Sequence, residues 1–372
     1  MIKIAFVIDT IESPTAGTEK QLLLLIRHLD RSRFTPYLCA LRVSDWMRQH
    51  FNDCELIDMG VPSFSKLSSY ANLVRFVSFL KRQRIDLVQT HFVDGNKVGV
   101  IAGRLAHVKG IISTRRNQGY WHNRMEIGIL NMLNRWVTVF LANAEDTRQW
   151  VGKTEGVALD RVAVIHNALQ TTDYRRASDE LRLAFRAELA FPPDAVLVGI
   201  VANLRPVKAI DLFLRAAQLV AARCPLVRFV VVGEGPDRAP LEELSTNLGV
   251  AQVVRFLGKR LDIPEVLGCL DLGVLSSQSE SFSNSIVEYL AAGLPVVCTD
   301  VGGAREAVFD GVNGFVVASG DHEAMAARIV DILDSGQLTV LGENGRREAE
   351  ERFSLAAIMQ RYERFYEGVL RS

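Results

Sequence analysis

The sequence has no charge excess of either sign: across 372 residues, 43 Lys and Arg stand against 43 Asp and Glu. A chain without a cationic surplus is not built as a general nucleic-acid binder, whose footprint is a strong basic patch. Cysteine is scarce. Cys39, Cys54, Cys224, Cys269 and Cys298 are scattered, with no Cys-x-x-Cys and no cysteine–histidine cluster, which argues against structural zinc and for a reducing compartment. Long hydrophobic runs are missing too. No apolar stretch approaches the roughly 20 residues of a membrane-spanning helix. The opening MIKIAFVID is too short for a signal-peptide core and reads as a first strand. No internal repeat and no low-complexity segment is found.

What the chain does have is apolar residues, 48% of the total, enough at this length for two domains with a core each. The zero net charge hides an asymmetry: residues 1–170 hold 22 Lys and Arg against 15 Asp and Glu, the remainder 21 against 28. A basic first half, with Lys81, Arg82, Arg84, Lys109, Arg115, Arg116 and Arg124, suits an anionic partner on that side, though drift in surface composition gives the same numbers. Ile2–Ile8, Pro36–Leu41, Asp86–Gln89, Ile111–Thr114, Thr138–Ala142 and Val162–Ile165 read as strands, with helices over Thr18–Leu29, Asp45–Phe51, Leu73–Arg84 and Asn96–Ala106. The alternation restarts with strand Ala195–Ala202 and helix Ile210–Arg223. It continues through strands Arg228–Val232, Val253–Leu257, Leu272–Leu275, Pro295–Cys298 and Gly314–Val317, with helices Ala239–Leu248 and Asn284–Ala292. This pattern predicts two doubly wound parallel sheets. The polar stretch Gln170–Asp194 reads as the connection between them, and Leu355–Leu370 as a closing helix. Open parallel sheets bind ligands beyond the C-terminal ends of their strands, so function is sought in the loops that follow.

Several of those loops carry chemistry. Glu280-Ser-Phe-Ser-Asn-Ser-Ile-Val-Glu288 follows a strand and opens a helix, with Asn284 as the expected N-cap. The first N–H groups of such a helix form an anion site suited to phosphate. Glu280 ahead of it and Glu288 one turn inside would grip two different parts of one ligand, and hydroxyls donate well to carboxylates. The bland alternative is a solvated loop glutamate and a surface helix glutamate. Asn203-Leu-Arg205-Pro-Val-Lys208 follows the first strand of the second unit, offering a planar fork and a point charge where phosphates bind. Val231-Val-Gly233-Glu234-Gly-Pro236 follows the next strand, and its glycines permit close backbone approach, though glycine there is also commonly just a turn. In the first half, Ala16-Gly17-Thr-Glu19 follows the first strand, His91 follows Asp86–Gln89, and Ser113-Thr-Arg115-Arg116-Asn117-Gln-Gly-Tyr-Trp-His122 crowds cations, amides and aromatics.

The segment from Glu280 to Glu306 resembles the donor-binding segment of family 4 glycosyltransferases, normally E-G-F-G-x-x-x-x-E-A-M-A-x-G-x-P-V-V-A-x-x-x-G-G. It matches at Glu280, Phe282, Glu288, Ala291, Gly293, Pro295, Val296, Val297, Gly302, Gly303 and Glu306, and departs at Ser281 and Ser283, where glycine is common. Asn203–Lys208 resembles the family's G-R-L-x-x-x-K-G loop with Asn203 in place of glycine. Ala16–Glu19 is similar to its Gly-Gly-x-Glu, and Asn143-Ala144 and His166-Asn167 to its Asn-Ser and Pro-Asn-Gly-Val-Asp elements. The resemblance implies an α/β fold of the GT-B type, two Rossmann-like doubly wound domains facing across a cleft. Residues 1–170 would be the acceptor-side domain and 190–350 the donor-binding domain, with the C-terminal helix 355–372 packing back on the first. It implies that Glu280 holds donor-sugar hydroxyls and Glu288 the ribose. Backbone at Phe282 and Ser283 would face the sugar, and Asn284, Ser285 and Ile286 the phosphate. Gly17, Gly233 and Glu234 would line the donor site, and His91 the sugar's edge. Arg205 and Lys208 would clamp the diphosphate and stabilise the leaving group, the task a metal performs in the other major glycosyltransferase fold. Arg115, Arg116 and Asn117 would lie on the acceptor side. No Asp-x-Asp, the metal-holding pair of that other fold, occurs in the sequence, so no metal and no cofactor is expected.

The expected reaction is retaining transfer from a UDP- or GDP-sugar to a saccharide or lipid-linked hydroxyl in cell-surface polysaccharide or glycolipid assembly. The expected location is the cytoplasm, with peripheral contact to an anionic membrane face and no nucleic-acid partner. The rivals are a sugar-nucleotide epimerase or hydrolase, and a non-catalytic subunit of a polysaccharide assembly complex.

Overall fold

The computed structural model describes residues 1–14, 17–61, 67–116 and 124–371, with side chains from 69 and 128 onward in the helices that begin at Leu67 and Arg124. It divides into two compact units, Met1–Ala168 with Ile358–Ser372, and Leu169–Ala357. Unit 1 runs β1 (Ile2–Ile8), α1 (Gly17–His28), β2 (Phe34–Ala40), α2 (Asp45–His50), β3 (Glu55–Asp58), α3 (Leu67–Gln83), β4 (Leu87–Thr90), α4 (Val93–Ala106), β5 (Gly110–Arg115), α5 (Arg124–Leu133), β6 (Val139–Ala142), α6 (Glu145–Glu155) and β7 (Val162–Val164). Among the described residues its strands pair in the order β3-β2-β1-β4-β5-β6-β7, all parallel. A parallel strand covered on both faces reads as a continuous apolar run, and Ile4 to Ile8 of β1 are wholly buried. Helix α1 turns Leu22, Leu23, Leu25 and Ile26 inward.

Unit 2 runs α7 (Asp179–Glu188), β8 (Val196–Val201), α8 (Ile210–Arg223), β9 (Val227–Val232), α9 (Arg238–Asn247), β10 (Val254–Gly258), α10 (Ile263–Cys269), β11 (Leu272–Leu275), α11 (Asn284–Ala291), β12 (Val296–Thr299), β13 (Gly314–Val317), α12 (His322–Asp334) and α13 (Leu338–Glu348). Its sheet is parallel in the order β10-β9-β8-β11-β12-β13. The core on one face gathers Val198, Ile200, Phe213, Phe229, Val274, Met325 and Ile329, with Phe213 and Phe229 edge to face at 5.8 Å. The last helix, α14 (Leu355–Arg371), starts at the end of unit 2, and from Ile358 onward it belongs to unit 1. Its Tyr366 is fully buried, with ring centroids 6.4 Å from Phe6 and 6.0 Å from Phe34. Arg33 holds Glu363 (2.7 Å) and Glu367 (2.5 Å) on the same helix.

Residues 170–194 are not the plain connection that the sequence suggests. Unit 2 begins at Leu169 and takes in α7, whose Arg182 and Arg186, joined by Arg176 just before it, converge on Asp271. Asp271 Oδ2 also accepts the Leu197 N–H (2.8 Å), which ties α7 beneath the first strand of the sheet. The charges that make this stretch read as polar are satisfied within the fold, while Phe185, Leu189 and Phe191 enter the core.

Each sheet starts in its middle, winds one way, then jumps back and winds the other. The jump falls between β1 and β4 in unit 1 and between β8 and β11 in unit 2. At such a switch point the loops leaving the two central strands diverge and open a crevice.

Candidate functional site

In unit 2 the switch point brings together the two strongest motifs. The loop after β8 carries Arg205 and a short 3₁₀ turn, Pro206–Lys208, and the loop after β11 carries Glu280. The loops are stitched side by side: Gln278 N–H donates to the Val207 carbonyl (2.8 Å) and Ser276 Oγ to the Lys208 carbonyl (2.9 Å). Lys208 Nζ donates to Glu280 Oε1 at 2.5 Å, and Ser277 Oγ donates to the same oxygen at 2.8 Å. The lysine and the glutamate, 72 positions apart, thus form an ion pair rather than standing apart on phosphate and sugar. Arg205 is exposed, with no side-chain partner among the described residues.

Helix α11 begins at Asn284, and its N-cap is Ser283, not Asn284; the Ser283 side chain makes no capping bond. The helix is anchored to the end of β8: Ser285 Oγ donates to the Val201 carbonyl (3.0 Å), and Tyr289 Oη accepts the Val201 N–H (2.7 Å). Ile286 and Phe282 are buried, with Phe282 against Phe353 at 5.5 Å. Glu288, one turn into the helix, is buried, and the Tyr174 hydroxyl hydrogen-bonds its carboxylate. Burial first, then the Glu288 charge, raises the Tyr174 pKa, so the phenol stays protonated and donates. Tyr174 lies in no motif of the sequence, and its partner is more than a hundred residues away.

The glycines have a different explanation from the one the sequence suggests. A Cβ on Gly233 would strike the Ala202 carbonyl, and one on Gly235 the Leu204 carbonyl. Their close approach is to the neighbouring loop, which Leu204 N–H completes by donating to the Glu234 carbonyl (3.0 Å). The Glu234 carboxylate is held by Arg238 (2.9 Å). Gly302, at φ +52, backs onto the carbonyls of Glu280 and Ser281, and Gly303 N–H donates to the Ser281 carbonyl (2.8 Å). The Gly-Gly pair therefore shapes the Glu280 loop.

In unit 1 the switch point is bounded by Asp9 after β1 and by His91 and Phe92 after β4. Gly17 opens α1 and is exposed. His91 is 1% exposed, and both ring nitrogens are engaged. Tyr366 Oη donates to Gln89 Oε1 (2.8 Å), and Gln89 Nε2 donates to His91 Nε2 (3.3 Å). His91 Nδ1 in turn donates to Thr114 Oγ1 (3.3 Å), whose hydroxyl donates to the Thr90 carbonyl (2.6 Å). The direction of this chain fixes the proton on Nδ1. Burial, and after it the Arg116 charge, drives the imidazole pKa down to about 3. The ring is thus neutral, with both nitrogens engaged within the fold. Phe92 next to it holds φ 58 without being glycine, a strained conformation of the kind that clusters at ligand sites.

The acceptor-side residues expected from the sequence largely turn inward. Arg115 is buried and forks onto Glu155 (2.7 and 2.8 Å), with Asn134 and Ser113 completing its bonds. A buried guanidinium paired this way is part of the core, since freeing it strands a charge. Arg116 is half-buried and donates to Asn167 Oδ1. Asn117 lies outside the described residues. Among the described residues no three His, Cys, Asp or Glu side chains converge, and no helix is long and apolar enough to cross a membrane.

Two family models match the chain, one described as Glycosyltransferase Family 4 over residues 15–173 and one as Glycosyl transferases group 1 over residues 195–335. Among similar proteins, the N-acetyl-alpha-D-glucosaminyl L-malate synthase of Bacillus anthracis is 31% identical over 172 residues, 46% of this chain and 45% of that protein. The D-inositol 3-phosphate glycosyltransferase 2 of Catenulispora acidiphila is 33% identical over 230 residues, 58% and 53% of the two. The chain spans about half the length of the curated relatives it matches. Among solved structures, Anabaena HepE in complex with UDP and glucose superposes with a TM-score of 0.80 at 25% identity, covering 99% of this chain and 100% of that one. A glycosyltransferase from Rickettsia africae gives 0.85 at 17% identity, covering 100% and 99%. The fold is therefore that of the GT-B glycosyltransferases, and with one model matched in each unit the chain belongs to glycosyltransferase family 4.

Proposed function

We propose that this protein transfers a sugar from a nucleoside diphosphate sugar to a hydroxyl acceptor, with unit 2 holding the donor and unit 1 the acceptor, in polysaccharide or glycolipid assembly. The observation that carries the proposal is the Lys208–Glu280 pair at the switch point of unit 2, beside the start of α11. A diphosphate there takes the free guanidinium of Arg205, the Lys208 ammonium and the first N–H groups of α11. Glu280 keeps Oε2 for sugar hydroxyls while Oε1 remains with Lys208 and Ser277, and Glu288 accepts from the ribose. UDP is the preferred nucleotide of the proposal, because Anabaena HepE was crystallised with UDP and with UDP-glucose. Both cations lie where charge grows on the leaving phosphate, so no metal is required. The family resemblance implies that the transfer retains the anomeric configuration, and because no carboxylate stands out as a covalent nucleophile, the proposal takes attack from the leaving-group face, the departing phosphate taking the proton of the incoming hydroxyl.

The test is UDP-glucose turnover with and without EDTA. Nucleotide release and glycoside formation should persist in EDTA. Arg205→Ala should lower turnover by on the order of a hundredfold, as for loss of a preorganised charge stabiliser. A strict need for Mg²⁺ or Mn²⁺, an isomerised sugar, or silence with UDP- and GDP-sugars alike would overturn the proposal.

A further inference from the structure

Asp9 is the first residue after β1, on one lip of the unit 1 switch point. Its Oδ1 accepts the N–H of Gly95, in the first turn of α4, at 2.5 Å. Glycine eases this approach, since a Cβ at position 95 would stand 3.1 Å from that oxygen and 3.3 Å from the Val7 carbonyl. Phe92, the N-cap residue of α4, gives no side-chain cap, so a carboxylate from another strand does that work. One oxygen suffices for the cap. Asp9 Oδ2 has no partner among the described residues, and the side chain is only part-buried. One carboxylate oxygen is thus committed to the cap, and the other keeps its capacity to accept.

The surroundings keep that oxygen in a poised state. Burial is the main effect and lifts the Asp9 pKa to about 6; the Gly95 N–H opposes it, Asp94 adds to it, and Lys97 and Arg42 oppose it. Lys97 is paired with Asp94 at 2.9 Å, and its charge opposes the effect of burial on Asp9. His91, on the facing loop, is neutral, with both ring nitrogens engaged.

We infer that Asp9 is a specificity residue of unit 1 whose free Oδ2 accepts a hydrogen bond from a hydroxyl of a polyhydroxylated acceptor. This rests on the glycosyl transfer proposed above. The proton stays on the acceptor hydroxyl, and no bond to carbon is made or broken at Asp9. Ionised Asp9 is the stronger acceptor, and protonation turns one of its oxygens into a donor, so acceptor use should rise as pH passes through about 6.

The test is Asp9→Asn, because asparagine can keep an oxygen on the Gly95 N–H while it removes the charge and turns the Oδ2 acceptor into an N–H donor. UDP-glucose serves as donor, with methyl α-D-glucopyranoside, methyl α-D-galactopyranoside and myo-inositol as acceptors. For whichever acceptor the wild type uses, the variant should raise KM about tenfold or more and lose the rise in kcat/KM near pH 6. UDP-glucose hydrolysis without acceptor, UDP affinity and melting temperature should stay near wild type. An unchanged acceptor KM would overturn the inference and leave Asp9 as a cap alone. So would a wild type that hydrolyses UDP-glucose yet transfers to none of the three polyols. A wild type that neither hydrolyses nor transfers from any nucleotide sugar would instead sink the function on which the inference rests.

Discussion

At the residue scale, the two glutamates of α11 and its loop stand in unlike surroundings and should fail in unlike ways. Glu288 is buried and bonded by Tyr174, so its carboxylate is held in place. Glu288→Ala should weaken free UDP by roughly 1.5–3 kcal/mol, the worth of hydrogen bonds to a charged group, as read by titration calorimetry. Glu280 shares one oxygen between Lys208 and Ser277, and its side chain is only partly buried. Glu280→Ala should cut UDP-glucose turnover while UDP affinity changes little. Equal losses for UDP and UDP-glucose in both variants would refute this division of labour. The sequence pattern shows where these glutamates lie because a strand, a loop and a helix can each be read locally. It does not show that Lys208 pairs with Glu280, that Arg115 is sealed against Glu155 or that His91 is buried. Those facts depend on partners 23 to 72 positions away, which no local periodicity encodes.

At the scale of elements, the motif loops are held by one another. Gly302 sits at φ +52 against the carbonyls of Glu280 and Ser281. Gly302→Ala brings both left-handed strain, of order 1–3 kcal/mol, and a clash with the loop that carries Glu280. The variant should melt lower, and its KM for UDP-glucose should rise more than its Kd for UDP. A wild-type KM would show that the loop gives way without moving Glu280. The sheet order follows from strands readable as β-branched runs, and the strand reading of both units holds, apart from short β3. Helix α7 escaped that reading because its Arg182 and Arg186 look like solvated charges, whereas they reach a single buried aspartate. Helices α5, α6, α10, α12 and α13 also go unread: α6 and α13 show only a narrow apolar stripe among polar residues, and α5 and α10 are short, mostly apolar segments without a clear helical period.

At the scale of the whole molecule, the basic character of the first half is narrower than its count suggests. Arg115 and Arg116 face inward, and Lys109 pairs with Asp86 at 2.8 Å. Lys81, Arg82 and Arg84 around the end of α3 are exposed, and we propose these three as the groups that would meet an anionic bilayer. Each contributes about 1 kcal/mol near such a surface, and salt screens it. Vesicles rich in phosphatidylserine should sediment the protein at low salt and release it at high salt, and K81Q/R82Q/R84Q should weaken the effect. Binding that ignores lipid charge, or none at low salt, would rule out this surface. Unit 2, finally, is an insertion within unit 1, since the chain returns after Ala357 to supply α14. Tyr366 fills the space beside Phe6 and Phe34 and anchors the Gln89–His91 chain. A ribosome that has made the first 168 residues has therefore made a unit still lacking part of its core. At about 5–20 residues per second the nascent sheet waits some tens of seconds, while all of unit 2 is translated, for the helix that completes it. This interval is when a holdase should find it.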